Sequence, residues 1–157
     1  MRSARLRGDL EAASIPGIVG VWCHEVGGSR LFNAISIDQR YAGHARQVGH
    51  AAASVHTGAY LGRYVVVVDD DIDVMDLEQV LWAMCTRCDP VEDIDFIRRA
   101  WSGPLDPRLP KGVTSNSRGL LDACRPYEML KDFPPVVKAS AELRDKVARK
   151  FSQYLKK

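Results

Sequence analysis

The ten residues YVVVVDDDID, at positions 64–73, join an unbroken run of valines to a cluster of aspartates. Valines on both faces of a strand need apolar cover on both sides, so the run predicts a central strand with helices above and below the sheet. The aspartates follow directly, which places them at the carboxyl end of that strand. The segment therefore indicates an α/β fold.

Helix-like and strand-like patterns alternate on both sides of this strand. Further strands are predicted over residues 18–25, 31–38 and 93–101, and helices over residues 3–13, 43–56 and 77–87. Only a glycine-rich turn separates the first two strands, which predicts a hairpin. Asp76 predicts the N-cap of the helix that follows it. The sequence thus predicts a single α/β domain around a mixed sheet of at least four strands packed with helices.

The last third of the chain is rich in proline and ends in a helical pattern. Residues 102–118 contain three prolines and no periodicity, which predicts a long loop, and a loop of this length in a compact domain is usually functional. Residues 119–130 predict a short helix broken at Pro126. Residues 140–155 predict a long C-terminal helix with Ser140 as its cap. Its apolar side chains recur every four residues, at Leu143, Val147, Phe151 and Leu155.

Composition excludes several classes of protein. The 157 residues are 46% hydrophobic and 27% charged, which is typical of a soluble globular domain and not of a disordered or fibrous chain. A net charge of +2 gives no reason to expect nucleic acid or a membrane surface as a partner. No apolar run approaches the roughly 20 residues of a membrane helix. With no export signal and only four cysteines, the sequence predicts a reduced, cytoplasmic protein.

The aspartates of residues 69–73 admit two interpretations. Carboxylates at the end of a buried strand can hold a hard cation such as Mg²⁺, which would suit phosphotransfer. The same side chains can instead bind loop amides and cap the next helix. The structural role is favoured because no phosphate-binding glycine loop or lysine motif accompanies the cluster.

Cysteines and histidines provide the remaining candidates. Cys85 and Cys88 form a C-x-x-C pair that could be redox-active or half of a zinc site, but the pair ends its predicted helix, which favours buried structural cysteines. His44, His50 and His56 would point to three different sides of one helix, so we expect no shared metal site. His56, at the predicted helix end, is the histidine best placed to meet a ligand or an anion.

Six stretches together resemble one protein family. They read GIVGVWCHE (17–25), GHARQ (43–47), GAY (58–60), VVVVDDDID (65–73), VLWAMCTRCDP (80–90) and PLDP (104–107). In this order and spacing they resemble the C-terminal domain of the UbiD-like decarboxylases, over nearly the whole chain from about residue 15. The combination of VDDDID with LWAxxTRxxP is specific to that family.

The resemblance implies a carboxy-lyase that adds or removes CO₂ on aromatic or unsaturated acids with prenylated FMN. In that family the flavin, a divalent metal, potassium and the catalytic residues are held mainly by an N-terminal region, which nothing in these residues matches. We therefore expect that region, or a large subunit carrying it, as the partner of this chain. We also expect no catalytic residue, no tightly bound cofactor and no activity in the chain alone, whether it is an excised domain or a natural small subunit.

The resemblance also assigns positions to site residues. Leu105, within PLDP, falls where an apolar family residue approaches the substrate, in a loop suited to excluding water. His56 falls where some members place a basic residue against the flavin phosphate. Leu143, Val147 and Phe151 would form the subunit contact of a homo- or hetero-oligomer. The single domain of residues 1–157 thus divides into a core (14–137) and a terminal oligomerisation helix (138–157).

A second hypothesis is a non-catalytic module that keeps this fold only for oligomerisation or scaffolding. It predicts that Leu105→Ala leaves any associated activity unchanged. It also predicts that disrupting Leu143 and Phe151 dissociates the complex.

Overall fold

One mixed sheet with helices on both faces forms the domain, which confirms the predicted α/β architecture. The computed structural model describes residues 1–137, 139–152 and 154. The strands are β1 (Ile18–Cys23), β2 (Phe32–Ile37), β3 (Tyr64–Asp69), β4 (Ile94–Trp101) and β5 (Ser115–Ala123). The helices are α1 (Arg2–Ala12), α2 (His44–Ser54), α3 (His56–Ala59), α4 (Leu77–Arg87) and α5 (Ala141–Lys150), with 3₁₀ turns at Glu25–Gly27 and Tyr127–Met129.

β3 lies at the centre of the sheet, whose strand order is β1-β2-β3-β5-β4. β2 and β5 pair with it in parallel, while β1 and β4 are antiparallel edge strands. Val65 and Val67 pack into one core beneath α1 and α2. Val66 and Val68 pack into a second core beneath α4. The valine run is therefore covered on both faces, as predicted, and β1 and β2 form the predicted hairpin.

α4 begins and ends at the residues that the sequence predicts. The Asp76 carboxylate accepts hydrogen bonds from the backbone N–H groups of Glu78 (3.0 Å) and Gln79 (3.3 Å). An N-cap of this kind satisfies donors that have no partner within the helix. Cys85 on this helix is exposed and Cys88 is half-buried, so the prediction of two buried cysteines is wrong for Cys85.

The segment predicted as a long loop followed by a helix is a shorter loop followed by a strand. β5 pairs with β3 and β4, so the prediction of a helix over residues 119–130 is wrong. Asn116 and Arg118 are buried on this strand, which removes the apolar alternation that would have indicated it. Their donors bind neighbouring segments: Asn116 Nδ2 donates to the Gly62 carbonyl oxygen (3.2 Å) and Arg118 Nη2 to the Ala59 carbonyl oxygen (2.7 Å). Among the described residues, Asn116 Oδ1 and Arg118 Nε have no hydrogen-bond partner.

The predicted helix over residues 43–56 is two helices. Val55 is extended between α2 and α3 (φ −62°, ψ 148°), so His56 opens α3 and does not share a helix with His44. His44 is fully buried, with Nε2 3.1 Å from the Pro16 carbonyl oxygen, and burial lowers its pKa. His50 lies 3.1 Å from the Asp95 carboxylate.

α5 lies outside both cores. Ser140 Oγ accepts a hydrogen bond from the Leu143 N–H (3.2 Å), which confirms the predicted cap. Leu143, Val147 and Phe151 are exposed, and the predicted Leu155 lies outside the described residues. Among the helices described, none is both long and apolar enough to cross a membrane.

Candidate functional site

α3 and the end of β4 bring three ring systems together. The His56 ring stacks on Trp101, with ring centroids 5.5 Å apart and 24° between the planes. The Tyr60 ring lies 5.9 Å from the same indole. His56 and Trp101 are both exposed, so the cluster presents flat aromatic surface at the edge of the domain. Such a surface can pack against another planar group.

A buried arginine holds this aromatic cluster in place. Arg118 on β5 is 2% exposed, and its guanidinium group donates to the carbonyl oxygens of Ala53, Ala59 and Trp101. These carbonyls belong to the ends of α2, α3 and β4. Burial lowers the pKa of Arg118. One guanidinium group thus fixes the three segments that position His56 and Trp101.

The PLDP loop is anchored by its aspartate. Asp106 is almost fully buried and accepts hydrogen bonds from the Arg63 guanidinium, from Asn116 Nδ2 (3.0 Å) and from the Arg108 N–H (3.0 Å). Burial acts to raise the pKa of Asp106, but these donors outweigh it and hold the pKa below its usual value. The charged anchor keeps the loop in place while Leu105 stays exposed.

The base of this loop packs directly on the aromatic cluster. The Leu61 N–H donates to the Ser102 carbonyl oxygen (3.1 Å). Gly103 has φ +126°, and a Cβ at this position would come within 2.7 Å of the Tyr60 ring. A side chain is therefore excluded both by backbone conformation and by space. The loop that carries Leu105 and the helix that carries His56 meet at Tyr60 and Trp101.

A cavity of about 460 Å³ beside His56 is strongly cationic. It is lined by Arg2, Arg5, Arg30 and Tyr60 together with His56. The Arg2 and Arg30 guanidinium carbons lie 5.8 and 5.3 Å from the Tyr60 ring centroid. Burial lowers the pKa of Arg2, and the nearby Arg30 charge lowers it further. Positive charge gathered at one cavity suits a phosphate or carboxylate group.

Two aspartates of the acidic cluster, Asp69 and Asp71, form ion pairs with arginines. Arg87 Nη1 lies 2.8 Å from Asp69 Oδ2, and Arg87 Nη2 lies 2.7 Å from Asp71 Oδ2. Arg125 Nε adds a contact to Asp69 at 3.0 Å. The hydrogen bond from Arg87 lowers the pKa of Asp71. This arrangement supports the structural interpretation of the cluster, and the part of the chain described contains no group of three His, Cys, Asp or Glu side chains arranged for a metal.

Cys88, the second cysteine of the C-x-x-C pair, lies in surroundings that disfavour a thiolate. Burial raises the pKa of Cys88 to about 11, with the nearby Asp93 and Asp122 charges adding to the effect. A thiol with this pKa stays protonated at neutral pH, whereas metal ligands and redox nucleophiles are thiolates.

Several residues of the site were missed by reasoning from the sequence. Asp106, Arg118 and Arg2 are the main examples, because their importance comes from partners far away in the chain. The signal available for Asp106 was a charged residue between two prolines, and nothing comparable marks Arg118 or Arg2.

Comparison with known proteins gives a family match over most of the chain. The model of the 3-octaprenyl-4-hydroxybenzoate carboxy-lyase C-terminal domain, UbiD_C, matches residues 1–123. A phenolic acid decarboxylase from Sedimentibacter hydroxybenzoicus is 37% identical over 93 residues, which are 59% of this chain and 19% of that protein.

Solved structures of similar fold are much longer than this chain. The UbiD-class enzyme HmfF from Pelotomaculum thermopropionicum, solved with FMN, is 28% identical with a TM-score of 0.78, over 98% of this chain and 32% of that one. The vanillic acid decarboxylase of Sedimentibacter hydroxybenzoicus, in its closed form, is 27% identical with a TM-score of 0.74, over 99% of this chain and 32% of that one. This chain therefore spans about a third of the solved relatives and a fifth of the curated one.

Proposed function

The chain belongs to the family of 3-octaprenyl-4-hydroxybenzoate carboxy-lyase C-terminal domains, and from this we propose that it serves a UbiD-class carboxy-lyase as its C-terminal domain or small subunit. The reaction would be the decarboxylation or carboxylation of an aromatic or unsaturated acid. One observation carries the proposal: the loop of Leu105 and the helix of His56 meet at one aromatic surface, beside a cationic cavity. Relatives named for phenolic and vanillic acids support the substrate class.

The partner in this proposal is an N-terminal cofactor-binding region. The chain covers only 32% of HmfF, so two thirds of that enzyme has no counterpart here. That missing part would be supplied by the same polypeptide or by a large subunit. We propose that the chain has no activity until the two are assembled.

Prenylated FMN, with a divalent metal and potassium, would be held mainly by the N-terminal region. When bound, the modified flavin supplies the electron sink for breaking or forming the bond to CO₂. HmfF has been solved with FMN, and an evolved dimeric form of it with prFMN. Within this chain, the cavity of Arg2, Arg30 and His56 fits the phosphate of such a cofactor, because it gathers positive charge beside an exposed imidazole.

Leu105 would cover the substrate when the two regions close. An apolar side chain held by a rigid anchor excludes water from a reacting carboxylate without hydrogen-bonding to it. Trp101 lies at the base of the same loop and would extend this cover. The vanillic acid decarboxylase of Sedimentibacter hydroxybenzoicus has been solved in an open and a closed form, which supports closure in this family.

α5 belongs to the C-terminal segment of residues 138–157, which would serve as the oligomerisation helix. Leu143, Val147 and Phe151 form an apolar stripe that neither core of the domain covers. Burying such a stripe against another subunit would remove apolar surface from water.

Reconstitution tests the proposed function. The chain is combined with the N-terminal region of a UbiD-class enzyme and loaded with prenylated FMN, and exchange of ¹³C-bicarbonate into a panel of hydroxybenzoates and furoates is measured. We expect exchange by the complex and none by either part alone. An assembled, flavin-loaded complex without exchange would refute the proposal.

Leu105→Ala separates the enzyme from the scaffold alternative. If the chain is part of a carboxy-lyase, we expect Leu105→Ala to lower the exchange rate about tenfold or more, because loss of a group that positions the substrate has an effect of this size. The complex should stay assembled. An unchanged rate would favour the non-catalytic scaffold. Val91→Ala is a matched control, because Val91 is also exposed and lies outside the PLDP loop.

A further inference from the structure

A second cavity, of about 450 Å³, lies on the opposite face of the sheet. It is lined by side chains that include Arg63, Tyr64, Phe96, Arg99 and Arg108, with Gly119 in the floor. Tyr64 and Gly119 pair across β3 and β5, and their neighbours Val65 and Leu120 point into the core beneath α2. Because side chains alternate along a strand, the cavity faces away from α2, on the side that α4 covers.

A strained bulge places one of the arginines at this cavity. The register of β4 against β5 shifts between Ile97 and Ala100, and within the shift Arg99 has φ +55°. A side-chain-bearing residue rarely adopts this left-handed conformation. Bulges redirect side chains next to binding sites. Arg99 lines the cavity, whereas its neighbour Arg98 is exposed and does not.

Two guanidinium groups at the cavity carry positive charge without an acidic partner. Arg63 is paired with the buried carboxylate of Asp106. Over residues 1–137, 139–152 and 154, no carboxylate pairs with Arg99 or Arg108. Gathering such groups around one concave surface favours an anion, and a guanidinium group fits the two oxygens of a carboxylate.

The rest of the cavity is aromatic and open to solvent. The side chains of Tyr64 and Phe96 are 47% and 68% exposed. Gly119 leaves the floor between the strands open, since a Cβ there would come within 3.3 Å of the Tyr64 ring. Ring surface in this position can stack on a flat ligand. A cavity of this volume falls within the range of small-molecule sites.

We propose that this cavity binds an aryl carboxylate, with the carboxylate at Arg99 and Arg108 and the ring against Phe96 and Tyr64. A bare phosphate would use the arginines but would leave the aromatic surface in water. The aromatic side chains of the cavity face away from α2 and His56, but the cavity adjoins the Leu105 loop: Arg108 lines it, and so do Arg63 and Asn116, which bind Asp106. It does not depend on the proposed function.

Calorimetric titration of the whole chain tests this site with three probes: benzoate, cyclohexanecarboxylate and inorganic phosphate. We expect benzoate to bind at one site per chain, and the saturated ring to bind at least about threefold more weakly because it cannot stack. Phosphate should bind more weakly than benzoate. No saturable benzoate binding, or equal binding of phosphate and benzoate, would overturn the proposal.

Variants of the bulge test the geometry. Arg99→Gly removes the guanidinium group but suits the left-handed backbone, so binding should weaken about tenfold or more while Tm does not fall. Arg98→Gln is the matched control and should bind benzoate as the original chain does. Arg108→Gln provides a second test and should weaken binding to a similar extent. If either Arg99→Gly or Arg108→Gln binds benzoate unchanged, the assigned site is wrong.

Discussion

Leu105 is 68% exposed, and the residue after it, Asp106, is 3% exposed. The apolar side chain keeps its position because the adjacent carboxylate is fixed by buried donors from Arg63 and Asn116. One residue of the PLDP motif therefore presents an exposed apolar side chain, and the next fixes the backbone that carries it.

Replacing the anchor should destabilise the fold far more than replacing the contact residue. Asp106→Ala leaves the Arg63 guanidinium without its carboxylate partner and removes one acceptor of Asn116 Nδ2, so it should lower the free energy of unfolding by about 2–4 kcal/mol. Leu105→Ala should change it by less than about 0.5 kcal/mol, since an exposed side chain makes few contacts. Urea unfolding of both variants measures this difference. Equal losses would mean that Leu105 also packs in the core.

Replacing two neighbouring aspartates of the acidic cluster should also change the free energy of unfolding by very different amounts. Asp69→Asn removes the buried charge that pairs with Arg87 and should cost about 3 kcal/mol of unfolding free energy. Asp70→Asn, one residue further along, changes an exposed side chain and should cost less than about 0.5 kcal/mol. Adding Mg²⁺ should stabilise neither protein. A Mg²⁺-dependent rise in Tm that Asp70→Asn abolishes would revive the cation-binding interpretation.

Asp122 should make the stability of the domain pH-dependent. Burial raises its pKa to about 6, so the folded chain binds this proton more tightly than the unfolded chain does. The stability gained in this way is complete below about pH 4, the pKa of an unfolded aspartate, and is lost as the pH rises through about 6. The loss amounts to as much as about 3 kcal/mol.

Asp122→Asn tests this pH dependence, because the amide stays neutral and can still accept the hydrogen bond from the Cys124 N–H (3.0 Å). Relative to the original chain, the variant should gain about 2–3 kcal/mol between pH 4 and pH 7.5 in urea unfolding. A difference that stays constant over this range would contradict the raised pKa.

Charges placed on the α5 stripe should dissociate the assembly. Leu143→Glu combined with Val147→Glu would bury two unpaired carboxylates in any interface formed by this stripe, which is strongly unfavourable. Light scattering of the assembled complex should show a lower mass, with Tm of the isolated chain unchanged. Arg144→Gln, on the same helix, is the control and should leave the mass as it was. An unchanged mass for the double variant would mean that subunits meet elsewhere.

The sequence was sufficient to predict those helices and strands that are stabilised by interactions between residues close together in the chain. α4 could be predicted to the residue, because its cap depends on Asp76 and the next three residues. β3 could be predicted because four valines require cover on both faces. β5 could not, because buried Asn116 and Arg118 break its alternation and bind partners in other segments, such as the carbonyl oxygens of Gly62 and Ala59.

The candidate functional residues were identified through the family resemblance, whereas the contacts that hold them in place are visible only in the folded structure. Leu105 and His56 were identified by the motifs that contain them or stand beside them. Their contact through Tyr60 and Trp101 joins segments more than forty residues apart in sequence, which no local pattern encodes. The same holds for Arg2, whose guanidinium reaches the Tyr60 carbonyl oxygen. No local pattern indicates that Arg87 of α4 is buried, because its partner Asp69 lies eighteen residues earlier in the chain.

The three carbonyls bound by Arg118 link local opening events across the domain. If the end of α2, α3 or β4 opened by itself, the guanidinium group of Arg118 would lose a hydrogen-bond acceptor while still buried. Local opening of any one of these segments is therefore energetically unfavourable. Amide hydrogen exchange in these three segments should therefore proceed through one shared sub-global unfolding event with a common free energy. The surface assigned to catalysis would then be either fully formed or fully lost, never partly frayed.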